Sequence, residues 1–250
     1  MTDSLALVIL FASGIVAGIL NVIAGGGSML TLPLLIFLGL PTAVANGTNR
    51  IAILVQNIGA VWGFQRHGLI DHRWLVWAGL PAIVGAAAGS WMAVGVSDSA
   101  FRRILAVIMI LVAIWMIWDP LKNLSLGEVK MTGKRQVLMG LIFLLVGFHG
   151  GFIQAGIGFV VLAVVPFAGI DMVRGNALKV LIVLIFTPIA LSVFAINGKI
   201  DWAYGSALAA GNLLGGLLGV RLTVLMGHRW IKSFVLIVVL VLAAKLWLTP

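Results

Sequence analysis

Residues 21–33 read Asn-Val-Ile-Ala-Gly-Gly-Gly-Ser-Met-Leu-Thr-Leu-Pro. The triplet Gly25-Gly26-Gly27 separates two apolar runs, about 5–22 and 27–38. Glycine takes dihedrals that other residues avoid and lets another backbone approach closely. A break of this kind leaves free N–H groups at the start of a half-helix, whose positive end favours an anion. It is not a P-loop, because the Gly-Lys-Ser/Thr ending and a preceding strand are both missing. Gln154-Ala155-Gly156-Ile157-Gly158 repeats the device ahead of another short run, 155–168. Short or Gly-interrupted apolar segments at matching places in two halves point to a transporter binding site. Close helix packing through small residues would use the same glycines.

The rest of the chain is of one kind. Of 250 residues, 62% are hydrophobic and 9% charged, against roughly 25% charged in soluble domains. Twenty-three Asp, Glu, Lys and Arg residues cannot form the polar shell a soluble fold of this size needs. With no cysteine, thiol and disulfide chemistry are excluded. Ten apolar segments can be counted, about 5–22, 27–38, 43–64, 75–96, 101–118, 136–150, 155–168, 173–196, 203–221 and 230–248. The fold expected is an all-α polytopic membrane bundle, with the second and seventh helices broken by glycine. The first run lacks a basic n-region and is expected to be a retained helix.

The net charge of +9 would suggest nucleic acid in a soluble chain. Here it reads as topology. If all ten segments cross, Arg66, Arg73, Lys122, Lys130, Lys134, Arg135, Arg174, Arg221, Arg229 and Lys232 share one side, and Arg102, Arg103 and Lys199 the other. Ten against three makes the first side cytoplasmic and both termini external. The longest connection, with a linker at 122–135, divides the chain into a first repeat, 1–121, and a second, 136–250. Five crossings per half require an inverted repeat. Matches support one. Val44–Arg50 lies over Val173–Lys179, Gly68-Leu69-Ile70-Asp71 over Gly198-Lys199-Ile200-Asp201, and Gly85 and Gly89 over Gly215 and Gly219, all offset by 129–131.

Arg50 and Lys179 sit at equivalent places, about seven residues into the third segment of their halves. An intramembrane cation is costly and usually faces a pathway or the bundle interior. Two of them would make a cavity attractive to an anion; snorkelling to the interface is the plainer reading. Asn21, Asn46, Thr48, Asn49, Gln56, Asn57, Gln154, Asn176 and Asn212 concentrate around the same segments and must find partners. Asn46 and Asn176 are one residue out of the Arg50/Lys179 register. His149 reads as a helix-end histidine that could donate to a substrate oxygen. Ser28 with His149 is the only crude nucleophile–base pair, and it has no spacing signal. No acid enters an apolar segment, so carboxylate-based cation coupling is not expected. A proton would travel on the substrate or through His149, or the carrier would be passive. Neither a metal nor a cofactor is expected.

The residues Gly18, Asn21, Ala24–Ser28, Leu32 and Pro33, then Ala45-Asn46-Gly47-Thr48-Asn49 and Gly63–Asp71, resemble the TauE/SafE sulfite exporter family of membrane permeases. Gly147–Gly158 and Gly175-Asn176 are the second-half echo. The resemblance covers nearly the whole chain and implies movement of sulfur-containing anions such as sulfite, sulfonates or sulfoacetate across a bacterial-type inner membrane. Another small anion, or a channel, is the alternative. Ile157 stands where the first half has Gly26, and Arg174-Gly175 where it has Ala45-Asn46, so the half-sites differ chemically. The substrate site expected comprises Asn21, Gly25, Gly26, Gly27, Ser28, Asn49, Arg50, His149, Gln154, Gly156, Gly158, Asn176 and Lys179. The partners expected are a small anionic substrate and membrane lipid, not nucleic acid; a homodimer is left open.

Overall fold

The computed structural model describes residues 3–118, 132–226 and 240–247. Every regular element among them is helical: α1 Asp3–Ile23, α2 Gly27–Phe37, α3 Thr42–Arg66, α4 Leu80–Val94, α5 Asp98–Trp118, α6 Gly133–Phe152, α7 Ile157–Val164, α8 Met172–Ile196 and α9 Trp202–Met226. A π-helical turn, Leu75–Gly79, leads into α4, and a 3-10 turn, Val165–Ala168, follows α7. Residues 240–247 are also helical. The rest of the tenth expected segment and most of the linker, with Lys122, Glu128, Lys130, His228, Arg229 and Lys232, lie outside the described residues. The linker ends earlier than its sequence suggests, since Lys134 and Arg135 already belong to the first turn of α6.

Among the described residues, six helices are long and apolar enough to cross a bilayer: Ser4–Ile23, Leu75–Val94, Asp98–Trp118, Gly133–Phe152, Met172–Ile196 and Trp202–Leu225. At 25 residues α3 matches them in length, but Asn46, Asn49, Arg50, Gln56 and Asn57 make it polar, and all five are buried. The 11 residues of α2 rise only ~17 Å, about half of a ~30 Å hydrocarbon core. Both glycine breaks therefore do what the sequence predicts: they start short helices inside the bundle. The acids that interrupt no apolar run instead serve helix starts. Asp171 Oδ1 accepts from the N–H groups of Val173 and Arg174 at 3.0 Å, and Asp201 Oδ1 from Tyr204 N at 2.9 Å, satisfying donors that a helix start leaves orphaned.

Small residues set the helix packing. A Cβ on Gly14 or Gly18 would strike the α9 backbone at Leu208 or Asn212, and one on Gly211 or Gly215 would strike α1 at Phe11 or Ile15. Gly85 and Gly89 of α4 meet α6 at Leu144 and Phe148 in the same way, and Gly147 and Gly151 meet Ala82 and Ala86. These are the small-residue faces expected of membrane helices that cross closely. In both seams the residue numbers rise together, so α1 runs parallel to α9 and α4 to α6. By contrast α3 and α8 are antiparallel. Gly47 lies against Phe194, while at the far end Phe64 clusters with Ala177 and Val180. The six glycines with positive φ among the described residues also fall in pairs: Gly25 (82°) and Gly156 (76°), Gly39 (99°) and Gly169 (70°), Gly68 (66°) and Gly198 (64°).

Candidate functional site: two helix breaks that meet

The two breaks meet in the bundle. Gly25 Cα lies so near Gly158 Cα that a Cβ on either would collide with the other. The short helices α2 and α7 therefore begin side by side. Neither N-cap residue closes its start with a side chain, although the N–H groups of Met29, Ile157, Phe159 and Val160 already bond nearby carbonyls; each start carries the positive end of its helix. Gly156 takes the left-handed conformation that precedes α7. Gln154 is the one non-glycine residue with positive φ among those described, at 58°. Strain of this order persists where neighbours hold it, and Gln154 is held by two bonds. Its Oε1 accepts from Arg50 Nη1 at 3.3 Å, and its Nε2 donates to Thr187 Oγ1 at 3.5 Å.

At the helix ends that lead into the breaks the next turn serves the carbonyls only in part: Asn21 O accepts from Gly25 N at 2.9 Å. A matched cation from the opposite half serves each. Arg50 donates to Gly150 O at 3.0 Å and to Gly151 O, the third- and second-last residues of α6. Lys179 donates to Asn21 O at 2.9 Å and Val22 O at 2.7 Å, the third- and second-last residues of α1. A cation at a helix C-terminus also opposes the negative end of the macrodipole. Each cation is steadied by an asparagine on its own helix. Arg50 Nη2 reaches Asn46 Oδ1 at 3.3 Å, and Lys179 Nζ reaches Asn176 Oδ1 at 2.6 Å. The one-residue offset between these asparagines is absorbed by the helix, since i−4 and i−3 both lie on the cation's face. Asn46 Nδ2 also donates to Phe152 O at 2.8 Å, and Phe194 lies under the guanidinium with its centroid at 4.7 Å. Neither cation snorkels: Arg50 is 0% and Lys179 2% exposed.

A tight cleft lies beside the meeting point, lined by Asn21, Ser28, Ile53, Asn57, Gln154, Ile157, Gly158, Lys179, Val180 and Val183. No carboxylate lines it. Its volume of about 10 Å³ is the space of a single water. Thus the geometry gathers Asn21, Ser28, Gln154, Gly158 and Lys179 of the expected site at one cleft, with Gly25 touching Gly158. The others lie apart from it. Gly26 precedes α2, and Gly27 packs on Ala17 O. Gly156 is covered by Met29 and Val112. Asn49 accepts from Thr31 Oγ1 at 2.6 Å. Arg50 sits behind the α6 end, and Asn176 serves Lys179. His149 Nε2 is 3.0 Å from Ala155 O, which can only accept, so the proton is on Nε2. That histidine borders a separate apolar groove with Ile108, Leu111 and Trp115. The cleft residues Ile53, Asn57, Ile157, Val180 and Val183 are not in the expected site. The signal for Asn57 is helical spacing, one turn beyond Ile53 and two beyond Arg50 on the inner face of α3.

Buried cation-capped breaks in a small-residue bundle with apolar spanning helices define a polytopic membrane protein with an internal polar site. Residues 10–246 match the family model described as sulfite exporter TauE/SafE, and the chain belongs to that family. A relative from Haemophilus influenzae, named "Probable membrane transporter protein", is 29% identical over 96% of this chain and 94% of its own length. "Probable membrane transporter protein YfcA" of Escherichia coli K12 is 30% identical over 98% and 91%. "Probable membrane transporter protein ORF9" of a Sinorhizobium species is 28% identical over 98% and 93%. The family and these relatives are membrane transporters rather than enzymes. No solved structure matches the chain.

Proposed function

We propose that this transporter is a permease for small sulfur oxyanions, sulfite and sulfonates, working by alternating access around the cleft between the two breaks. The observation that carries the reading is the meeting of two uncapped half-helix starts at Gly25 and Gly158, beside a cleft with amide and hydroxyl donors and no carboxylate. Oxyanions are bound by N–H groups at helix starts. Lys179 has three N–H donors, and three protein oxygens take them. The cations therefore hold the breaks and supply a positive field, while Ser28, Asn57, Gln154 and the helix-start N–H groups make the contacts. In the present conformation the cleft has room for about one water, so loading requires the two starts to part.

Alternating access follows from reading the chain as two inverted five-segment repeats, 1–121 and 136–250. Antiparallel α3 and α8, the paired positive-φ glycines and the reciprocal capping support that reading. The basic-residue bias puts the Arg66, Arg73 and Arg174 face in the cytoplasm of a bacterial-type inner membrane. Proteoliposome flux tests the proposal. Saturable sulfite movement, inhibited by sulfonates more than by simple carboxylates, is expected; no saturable movement of any of these anions overturns it.

A further inference from the structure

The corners Gly68–Asp71 and Gly198–Asp201 are built alike. In each, the glycine follows a long helix with positive φ, and the next residue donates back five positions: Leu69 N to Phe64 O at 3.1 Å and Lys199 N to Phe194 O at 2.9 Å. This is the Schellman closure of a helix end. They are seated differently. The second corner is docked on α3. Asp201 N donates to Thr48 Oγ1 at 2.8 Å, and Lys199 O lies against Gly47 so closely that no Cβ would fit there. Thr48 is fully buried beneath it.

The bounds of α3, Thr42–Arg66, and α8, Met172–Ile196, set the two helices at an offset of 130, one more than the alignment of Val44 with Val173, and so match Gly47 and Thr48 to Ala177 and Leu178. Leu178 cannot accept a hydrogen bond, and Ala177 carries the methyl group that Gly47 lacks. Leu69 and Ile70 of the first corner pack against the cluster that holds Phe64, Ala177 and Val180, but among the described residues no hydrogen bond like that of Asp201 to Thr48 ties the corner to α8. A cavity of about 120 Å³ separates Leu69, Asp71 and Trp74 from Gly169, Asp171 and Leu178. The helix leaving each corner differs to match. From the docked corner α9 starts as a regular helix at Trp202, whereas the path to α4 passes through the π turn Leu75–Gly79, a local irregularity common at functional sites.

We propose that the two corners are the gates of the transport cycle, with the Gly198–Asp201 corner latched shut by Thr48 and the Gly68–Asp71 corner standing open. This rests on the transporter reading above. In the opposite state the first corner seats on Ala177–Leu178 and the second lifts from Thr48. Because only the second corner has a hydroxyl latch and a glycine seat, the resting protein favours the state open on the Arg66, Arg73 and Arg174 face. Thr48 and Leu178 set that bias.

The absence of cysteine makes the test direct. Single cysteines at Ile170, bordering the open cavity, and at Ile200, within the latched corner, are labelled with a charged thiol reagent in detergent, where both faces meet it. Ile170→Cys is expected to react quickly and Ile200→Cys slowly. Adding Thr48→Val removes the latch. It should raise labelling at position 200 and lower it at position 170, each by about two- to tenfold, the range set by one hydrogen bond. Thr48→Ser, which keeps the hydroxyl, should restore the parent pattern and controls for folding. Leu178→Thr should shift both rates the same way as Thr48→Val. An unchanged rate at position 200, or a rise there with no fall at position 170, overturns the gates. Labelling does not depend on flux: reciprocal labelling without anion movement sinks the substrate assignment and leaves the gates standing.

Discussion

Arg50 and Lys179 do one job with different chemistry, and the difference separates the two breaks. Arg50 spreads four hydrogen bonds over Gly150, Gly151, Gln154 and Asn46 and stacks on Phe194. It knits α3, α6 and α8 together from behind the cleft. Lys179 concentrates its charge on Asn21, Val22 and Asn176 and borders the cleft itself. Planar guanidinium suits several fixed acceptors, while a compact ammonium suits a crowded corner. One cation is thus chiefly a structural joint and the other lies beside the site. Nominal symmetry between halves does not make their residues interchangeable.

The most severe way to break the comparison is to stop the two helix starts from meeting. Gly25→Val places a side chain against the Gly158 backbone at a φ of 82°. Overpacking costs ~1–3 kcal/mol and a left-handed β-branched residue ~1–2 more. Little monodisperse protein should survive gel filtration. Recovery at parent yield would mean that the breaks are not in contact.

The cations sharpen it next. Arg50→Met leaves two buried helix-end carbonyls and Gln154 without a donor, at about 2–5 kcal/mol. Lys179→Met takes a donor from the carbonyls of Val22 and of Asn21, which keeps Gly25 N, and it also changes the cleft wall. Thermal unfolding in detergent should place Arg50→Met below Lys179→Met in stability. At a temperature where both are folded, sulfite flux should fall further in Lys179→Met. Equal stability together with equal flux would erase the distinction between joint and site.

Much of this was legible in the sequence because the relevant signals are local. A glycine run between apolar segments is visible by itself, and so is a lysine or arginine inside one. The matched offsets of Gly25 with Gly156, and of Gly68 with Gly198, reappear as matched positive φ angles. What Arg50 and Lys179 touch was not legible. Their acceptors lie 100 and 157 residues away, and only the tertiary fold, which sets α3 at the end of α6 and α8 at the end of α1, brings them together. Asn49 illustrates the reverse. It stands beside Arg50 in the chain, yet the helix turns it toward Thr31 and away from the cleft.

The smallest expected effect concerns His149, the residue whose place in the site rests on sequence alone. Its ring pins Ala155 O, inside the second break, to the end of α6. It borders the apolar groove beside α5, and the cleft lining does not include it. His149→Phe removes one partly buried hydrogen bond, about 0.5–1.5 kcal/mol, and keeps a ring in the groove. Thermal stability should drop slightly, with sulfite flux within about twofold of the parent and the same dependence on pH, since one such bond at a site remote from the ligand alters binding little. A lost pH dependence would instead make His149 a proton carrier. Chemistry would then reach beyond the cleft to the groove beside α5, and the contrast between Arg50 and Lys179 would no longer describe the whole site.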